Sequence, residues 1–276
     1  MKIIDLTPEY ERHFLGRGDR REYEKAYPQL FDHYYCFWAD RNIPPRTMEK
    51  PEIARRLRLI KNELPFIEEK FSKSSLDIGA LKIALFVGQA TSNGHAFKSG
   101  SEFVVWLPIE TYHTALLVRV FLTHEIAHAL HYSRSPEFYF EDMEKKRLLS
   151  RQLITEGLAT YMTAGILGID ELAALWADFL PPDKANAWYE ECARREVDIF
   201  RLLFDNFDSR DSGIGLFLAS DPDNILRYRA GYYAGLKIVE RIAKGENISL
   251  IELLAIPEDH FNKLAILQLR NKLTTA

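Results

Sequence analysis

Nowhere in the 276 residues is there a run of about 18 apolar positions, so no segment has the makings of a membrane-crossing helix. The opening MKIIDLTPEYERHF also lacks an apolar stretch of signal-peptide length, which removes the expectation of export by that route. Cysteine is nearly absent. Cys36 and Cys192 form no CxxC and no ladder of spacings, so a disulfide framework is unsupported and a cytoplasmic location is expected. Charge of one sign never accumulates either: the net charge is −4, and the short basic clusters Arg17 to Arg21 and Arg55 to Arg58 are interleaved with Gly, Asp or Leu. That removes the electrostatic footprint of a nucleic-acid or anionic-membrane partner and leaves both clusters as solvated faces. Internal repeats and low-complexity tracts are missing as well.

What remains is an ordinary globular balance, 47% hydrophobic and 28% charged, in a chain long enough to bury a sizeable core. Helical spacing of aliphatic and aromatic residues runs from Tyr23 to about Asp40, bent or delayed at Pro28, and again from Pro51 to about Phe71 with an interruption near Pro65. Two short runs of β-formers follow, Leu81 to Val87 and Glu102 to Leu107, separated by a segment carrying Asn93-Gly94 and Ser99-Gly100. They predict a small sheet, antiparallel at this point. Beyond Pro108 the period is helical, with helices expected at about 111–132, 148–167 (stopped by Gly168), 185–207 and, after a Gly- and Asp-rich loop, 229–243. Ser249-Leu250-Ile251-Glu252 has the form of a capping box, and Pro257 opens the last helix. The fold class expected is α+β, predominantly helical, with a helical N-terminal segment over 1–75 packed on a main domain over 76–276.

Chemistry enters at His124-Glu125-Ile126-Ala127-His128, the pattern HExxH inside an apolar, helix-periodic stretch. Residues four apart on a helix differ by about 40° in direction and about 6 Å in height, so both imidazoles reach one cation. Zinc takes imidazole nitrogen at about 2.0–2.1 Å and prefers four ligands; two His and one further protein ligand leave a position for water. Glu125, offset by one residue, is placed to take a proton from that water. With eight His and 24 Glu in the chain, HExxH arises by chance in about two per cent of such sequences, so the motif needs a third ligand beside it. The continuation HxxGxxH fails, since the glycine position is His131 and the last histidine position is Arg134. Glu156 in Thr155-Glu156-Gly157-Leu158-Ala159 is the alternative: 27 residues separate it from His128, enough for a helix end, a loop around Pro136 and two turns of the next helix. Glu141, Asp142 and Glu144 compete for that role but sit in the expected connecting loop. Gly157 costs helix stability, about 1 kcal/mol relative to Ala, so a packing reason for it is expected: with Ala159 it lets helix backbones approach closely. His131 lies almost on the helical face of His124 and is expected to support the ligands from behind or to pack at the helix end, with a ligand role as the alternative, and His13, His33, His95, His113 and His260 are assigned structural or surface roles.

At HEIAH and TEGLA the chain resembles the gluzincins, zinc peptidases whose third ligand is a helical glutamate. Its segment Gly231-Tyr232-Tyr233-Ala234-Gly235 resembles a group of uncharacterised bacterial predicted zinc-dependent proteases. The resemblance covers roughly Leu81 to Leu254. It implies a zincin-like metallopeptidase domain, one Zn2+ per chain on His124, His128 and Glu156, Glu125 as general base, and a peptide or protein substrate. It further implies an edge strand at Glu102 to Leu107 that pairs with the substrate backbone, and an oxyanion donor at Tyr232 or Tyr233 with Arg229 behind them. No GxMEN-like segment precedes His124, so exopeptidase activity is not implied. Two other readings share the residues: a metal-dependent hydrolase of a non-peptide amide, and a non-catalytic binding or regulatory protein on the same fold.

Overall fold

The computed structural model describes residues 1–210 and 215–274; residues 211–214 of the Gly- and Asp-rich loop lie outside the described residues. The chain is α+β and predominantly helical, with one four-stranded mixed sheet. None of the described helices is long and apolar enough to cross a membrane. Its residues group into two compact units, Met1–Ala129 and Leu130–Ala276.

The first unit is built on the sheet, whose strands are β1 (Lys2–Asp5), β2 (Lys82–Phe86), β3 (His95–Ser99) and β4 (Glu102–Pro108), in the order β1-β2-β4-β3. β1 pairs parallel with β2, β2 parallel with β4, and β3 antiparallel with β4. The expectation of an antiparallel sheet is therefore corrected: the two β-rich runs are parallel neighbours. The segment read as their separator contains a strand of its own. Ser99 pairs with Glu102 around a two-residue turn in which Gly100 takes φ 66°, the conformation a tight hairpin asks of its first central residue. A second correction follows from the order. Glu102 to Leu107 is an interior strand, and the edges are β1 and β3.

Helix α1 (Pro28–Phe37) begins at Pro28, as a proline in the first turn allows, and lays Phe31 and Tyr34 against Phe86 at 5.6 and 5.1 Å between ring centroids. Helix α2 (Lys50–Lys73) runs unbroken through Pro65, where an interruption was expected. Pro65 removes one backbone hydrogen bond, but Ile53, Ile60, Ile67 and Phe71 bury a continuous stripe that outweighs the loss. Helix α3 (Ala115–Arg134) carries HExxH; it starts in the first unit and ends in the second.

The second unit is helical. α4 (Leu149–Leu167) stops at Gly168, which takes φ 67° as a left-handed cap. The helix expected at 185–207 is two, α5 (Pro182–Arg194) and α6 (Glu196–Asp205), because Arg195 leaves helical geometry at φ −101°, ψ 16°. α7 (Ala230–Gly245) and α8 (Glu258–Thr274) follow, and the capping box at Ser249 and Glu252 forms with both of its hydrogen bonds. α4 and α7 meet backbone to backbone. A Cβ built on Gly157 would lie 2.4 Å from the carbonyl carbon of Gly235, and one on Gly235 2.5 Å from the Leu153 carbonyl oxygen. The glycine beside Glu156 thus has its packing reason, and it lies in the GYYAG segment.

Candidate metal centre

In the first unit, the turn that follows β4 fixes the ground around α3. Glu110 is buried and accepts the backbone N–H groups of Gly88 (3.0 Å) and Ala90 (2.9 Å), while Tyr112 donates its phenol to the Asn93 carbonyl. Burial pushes the Glu110 carboxyl above the usual carboxylate range, against those backbone donors. Burial, with the fields of Glu125 and Glu110, holds the Tyr112 phenol well above its ordinary value. Residues 88–94 are thereby pinned along their length. They deliver Gly94 against Glu125: a Cβ at Gly94 would stand 3.0 Å from Glu125 Cγ and 3.1 Å from the Trp106 carbonyl oxygen.

His95, the next residue and the first of β3, places Nδ1 3.8 Å from Glu125 Oε2 and its ring 5.7 Å from that of His128. Its other face meets Trp38 at 4.5 Å. The sequence assigns His95 only a structural or surface role; its place beside Glu125 comes from the hairpin, and the local hint is Asn93-Gly94 ahead of it.

On α3, His124 and His128 are one helical turn apart and both buried. Their Nε2 atoms stand 3.1 Å apart, with the rings steeply inclined at 79°. Two nitrogens held tetrahedrally at about 2.05 Å from one ion are about 3.3 Å apart, so this spacing matches the ligand edge of a zinc site. Glu156 is carried by α4, half-buried, two turns from its start. One nitrogen each of His124 and His128 and one oxygen of Glu156 all lie within 4.8 Å of one another. Tetrahedral ligands at about 2.1 Å from one ion stand about 3.4 Å apart, so the group closes to coordination by a movement of up to about 1.4 Å. Two neutral nitrogen donors and a carboxylate are the donor set zinc accepts, and they leave Glu125 outside the group.

His131, one turn after His128, is buried against the Phe138 ring at 4.5 Å. On α7 the two tyrosines part company. Tyr233 is buried against Tyr189 (5.3 Å) and Trp188 (6.5 Å), and burial raises its phenol far above the ordinary value. Tyr232 instead lies under the Arg229 guanidinium at 4.2 Å and beside Phe217 at 5.7 Å. Arg229 in turn is within the electrostatic reach of Glu156.

A family model described as "Predicted Zn-dependent protease (DUF2268)" matches residues 60–263. No curated protein and no solved structure matches the chain.

Proposed function

The chain belongs to this family of predicted zinc-dependent proteases, and from that premise we propose that it is a metallopeptidase holding one zinc ion on His124, His128 and Glu156. The observation that supports this most is the convergence of three donor atoms within 4.8 Å, two from one turn of α3 and one from α4. Zinc, when bound, supplies Lewis acidity that polarises a peptide carbonyl and acidifies water. The other steps belong to the protein. Glu125 takes the proton from the attacking water at a carboxylate oxygen and returns it to the nitrogen of the departing amine. Gly94 against its methylene and His95 near its oxygen hold that carboxylate in one orientation. Tyr232 donates its phenolic hydrogen to the oxygen on which negative charge develops, a role its buried neighbour Tyr233 is badly placed to fill. The strand available to an extended substrate is β3, the edge of the sheet next to Glu125, instead of β4.

The decisive experiment pairs metal analysis with a single isosteric change. Purified protein is expected to carry about one zinc per chain, and Glu125→Gln to keep that zinc while cleavage of a peptide library falls by three orders of magnitude or more, the loss of a general base and its field combined. Full turnover by Glu125→Gln would end the mechanism, and a chain that binds zinc yet cleaves only small non-peptide amides would end the peptidase assignment.

A further inference from the structure

The second unit contains a half-buried cation, Arg229, that the scheme above does not use. Arg229 has five N–H donors, yet among the described residues its guanidinium forms no ion pair and donates no hydrogen bond; it lies over the rings of Trp176 at 4.7 Å and Tyr232 at 4.2 Å. Two other arginines of this unit, by contrast, are satisfied. Arg151 donates to the Phe138 carbonyl and the Tyr132 hydroxyl, and Arg241 pairs with Glu196 at 2.8 Å. Burial presses the Arg229 guanidinium toward its neutral form, with Tyr232, Glu156 and Tyr228 resisting, so the charge is kept where it is poorly solvated.

The backbone also bears a cost to place it. Arg229 sits at φ 60°, ψ 21°, a left-handed conformation that favours glycine, locked by its N–H donating to the Leu218 carbonyl at 2.7 Å. The surroundings are apolar and open. Phe179, 58% exposed, stacks on Trp176 at 6.2 Å, and Leu218, which holds the Arg229 backbone, is 55% exposed. Two exposed apolar residues thus adjoin the groups that hold Arg229, Phe179 at the Trp176 ring and Leu218 at the backbone N–H.

We propose that Arg229 is a receptor for the free α-carboxylate of a peptide, with Trp176 and Tyr232 holding the guanidinium plane for a bidentate grip and Phe179 and Leu218 receiving an apolar side chain beside that carboxylate. This rests on the peptidase reading and names its substrate class: peptides that end, shortly after the cleaved bond, in an apolar residue with a free carboxyl group. Acidic side chains offer the same chemistry from a different source. The apolar rim argues for the chain terminus.

Calorimetric titration of the zinc-loaded protein tests this without turnover. The probes are N-acetyl-phenylalanine, its α-amide, and N-acetyl-glutamic acid α-amide. Wild type is expected to bind the first at least tenfold more tightly than the other two. Arg229→Gln should lose about tenfold to a hundredfold on the first and nothing on the amide, with zinc content and melting temperature unchanged. Arg229→Lys, which keeps the charge without the fork, should fall between them, and it serves if the glutamine variant does not fold. Equal binding of acid and amide by wild type, or equal weakening of both in the variants, overturns the proposal, and preference for the glutamate probe overturns its choice of the chain terminus. Failure of the peptidase reading would look different: Glu125→Gln would retain turnover while the acid-over-amide preference persisted.

Discussion

Replacing Gly157 with alanine adds a single methyl group to the residue beside a proposed zinc ligand, and the structure says where that methyl must go. It would stand 2.4 Å from the carbonyl carbon and oxygen of Gly235 and 2.7 Å from its Cα. All three are backbone atoms of α7, so no rotamer change relieves the clash. Ordinary contact begins near 3.4 Å, and the difference, 3.4 − 2.4 = 1.0 Å, is the separation α4 and α7 must undergo. Alanine gains about 1 kcal/mol over glycine as a helix former. Overpacking costs about 1–3 kcal/mol where side chains can yield, and more where backbone must move, so a net loss of at least about 2 kcal/mol is expected. For a chain of this size that lowers the melting temperature by roughly 4–8 °C. Glu156 rides on the displaced segment, and metal ligands tolerate only about 0.2 Å, so zinc affinity should fall by tenfold or more. Calorimetric melting and a competitive zinc chelator measure the two quantities. Gly245→Ala, on the same α7 but with nothing within 4 Å of the new methyl, is the control and should be neutral or slightly stabilising. If Gly157→Ala melts with wild type and binds zinc equally well, the close-packing argument is refuted.

Glu196 is buried, which raises its carboxyl pKa, but hydrogen bonds and charge from Lys272 and Arg241 outweigh burial and the net direction is down. The stability it contributes is therefore present above the ordinary carboxylate range and lost as pH falls through its depressed value; Glu196→Gln should cost about 1–2 kcal/mol at pH 7 and nothing near pH 2 in urea titrations. Stripping the metal should lower the melting temperature of wild type, by an amount equivalent to about 4 kcal/mol if zinc had stood at a thousand times its dissociation constant; a His128→Ala variant should show no zinc-dependent shift. Gly94→Ala crowds Glu125 Cγ and Leu107 Cδ2 at 3.0 Å, so kcat should drop about tenfold or more with zinc content intact. Tyr232→Phe should reduce kcat by about a hundredfold, whereas Tyr233→Phe should leave kcat unchanged, as steady-state kinetics will show.

Local signals carried much of the reading. HExxH on a helix, the Gly168 stop and the Ser249 capping box depend on residues within one or two turns, and each is formed as the spacing predicts. The sheet was harder because pairing joins distant segments. The run of β-formers in Glu102 to Leu107 marks a strand without saying which neighbours flank it, so its interior place is not legible there, and β1 is only four residues long. Pro65 misled because a local cost was outweighed by a stripe of burial that only the folded helix completes. Gly157 announced a close contact; its partner, Gly235, lies 78 positions away. His95 and Arg229 carried no motif. One is brought beside Glu125 by a hairpin, the other is held by a left-handed turn at the mouth of α7.

The parallel pairing of β1 with β2 bears on how the molecule is made. Lys2 lies opposite Lys82, eighty positions later, so a ribosome releases the first strand long before anything exists for it to join. The backbone hydrogen bonds of α1 and α2 join residues four apart and can form while that strand is still single. A strand made eighty positions before its partner must wait for it, and a chaperone that shields it during this wait should raise the yield of native protein.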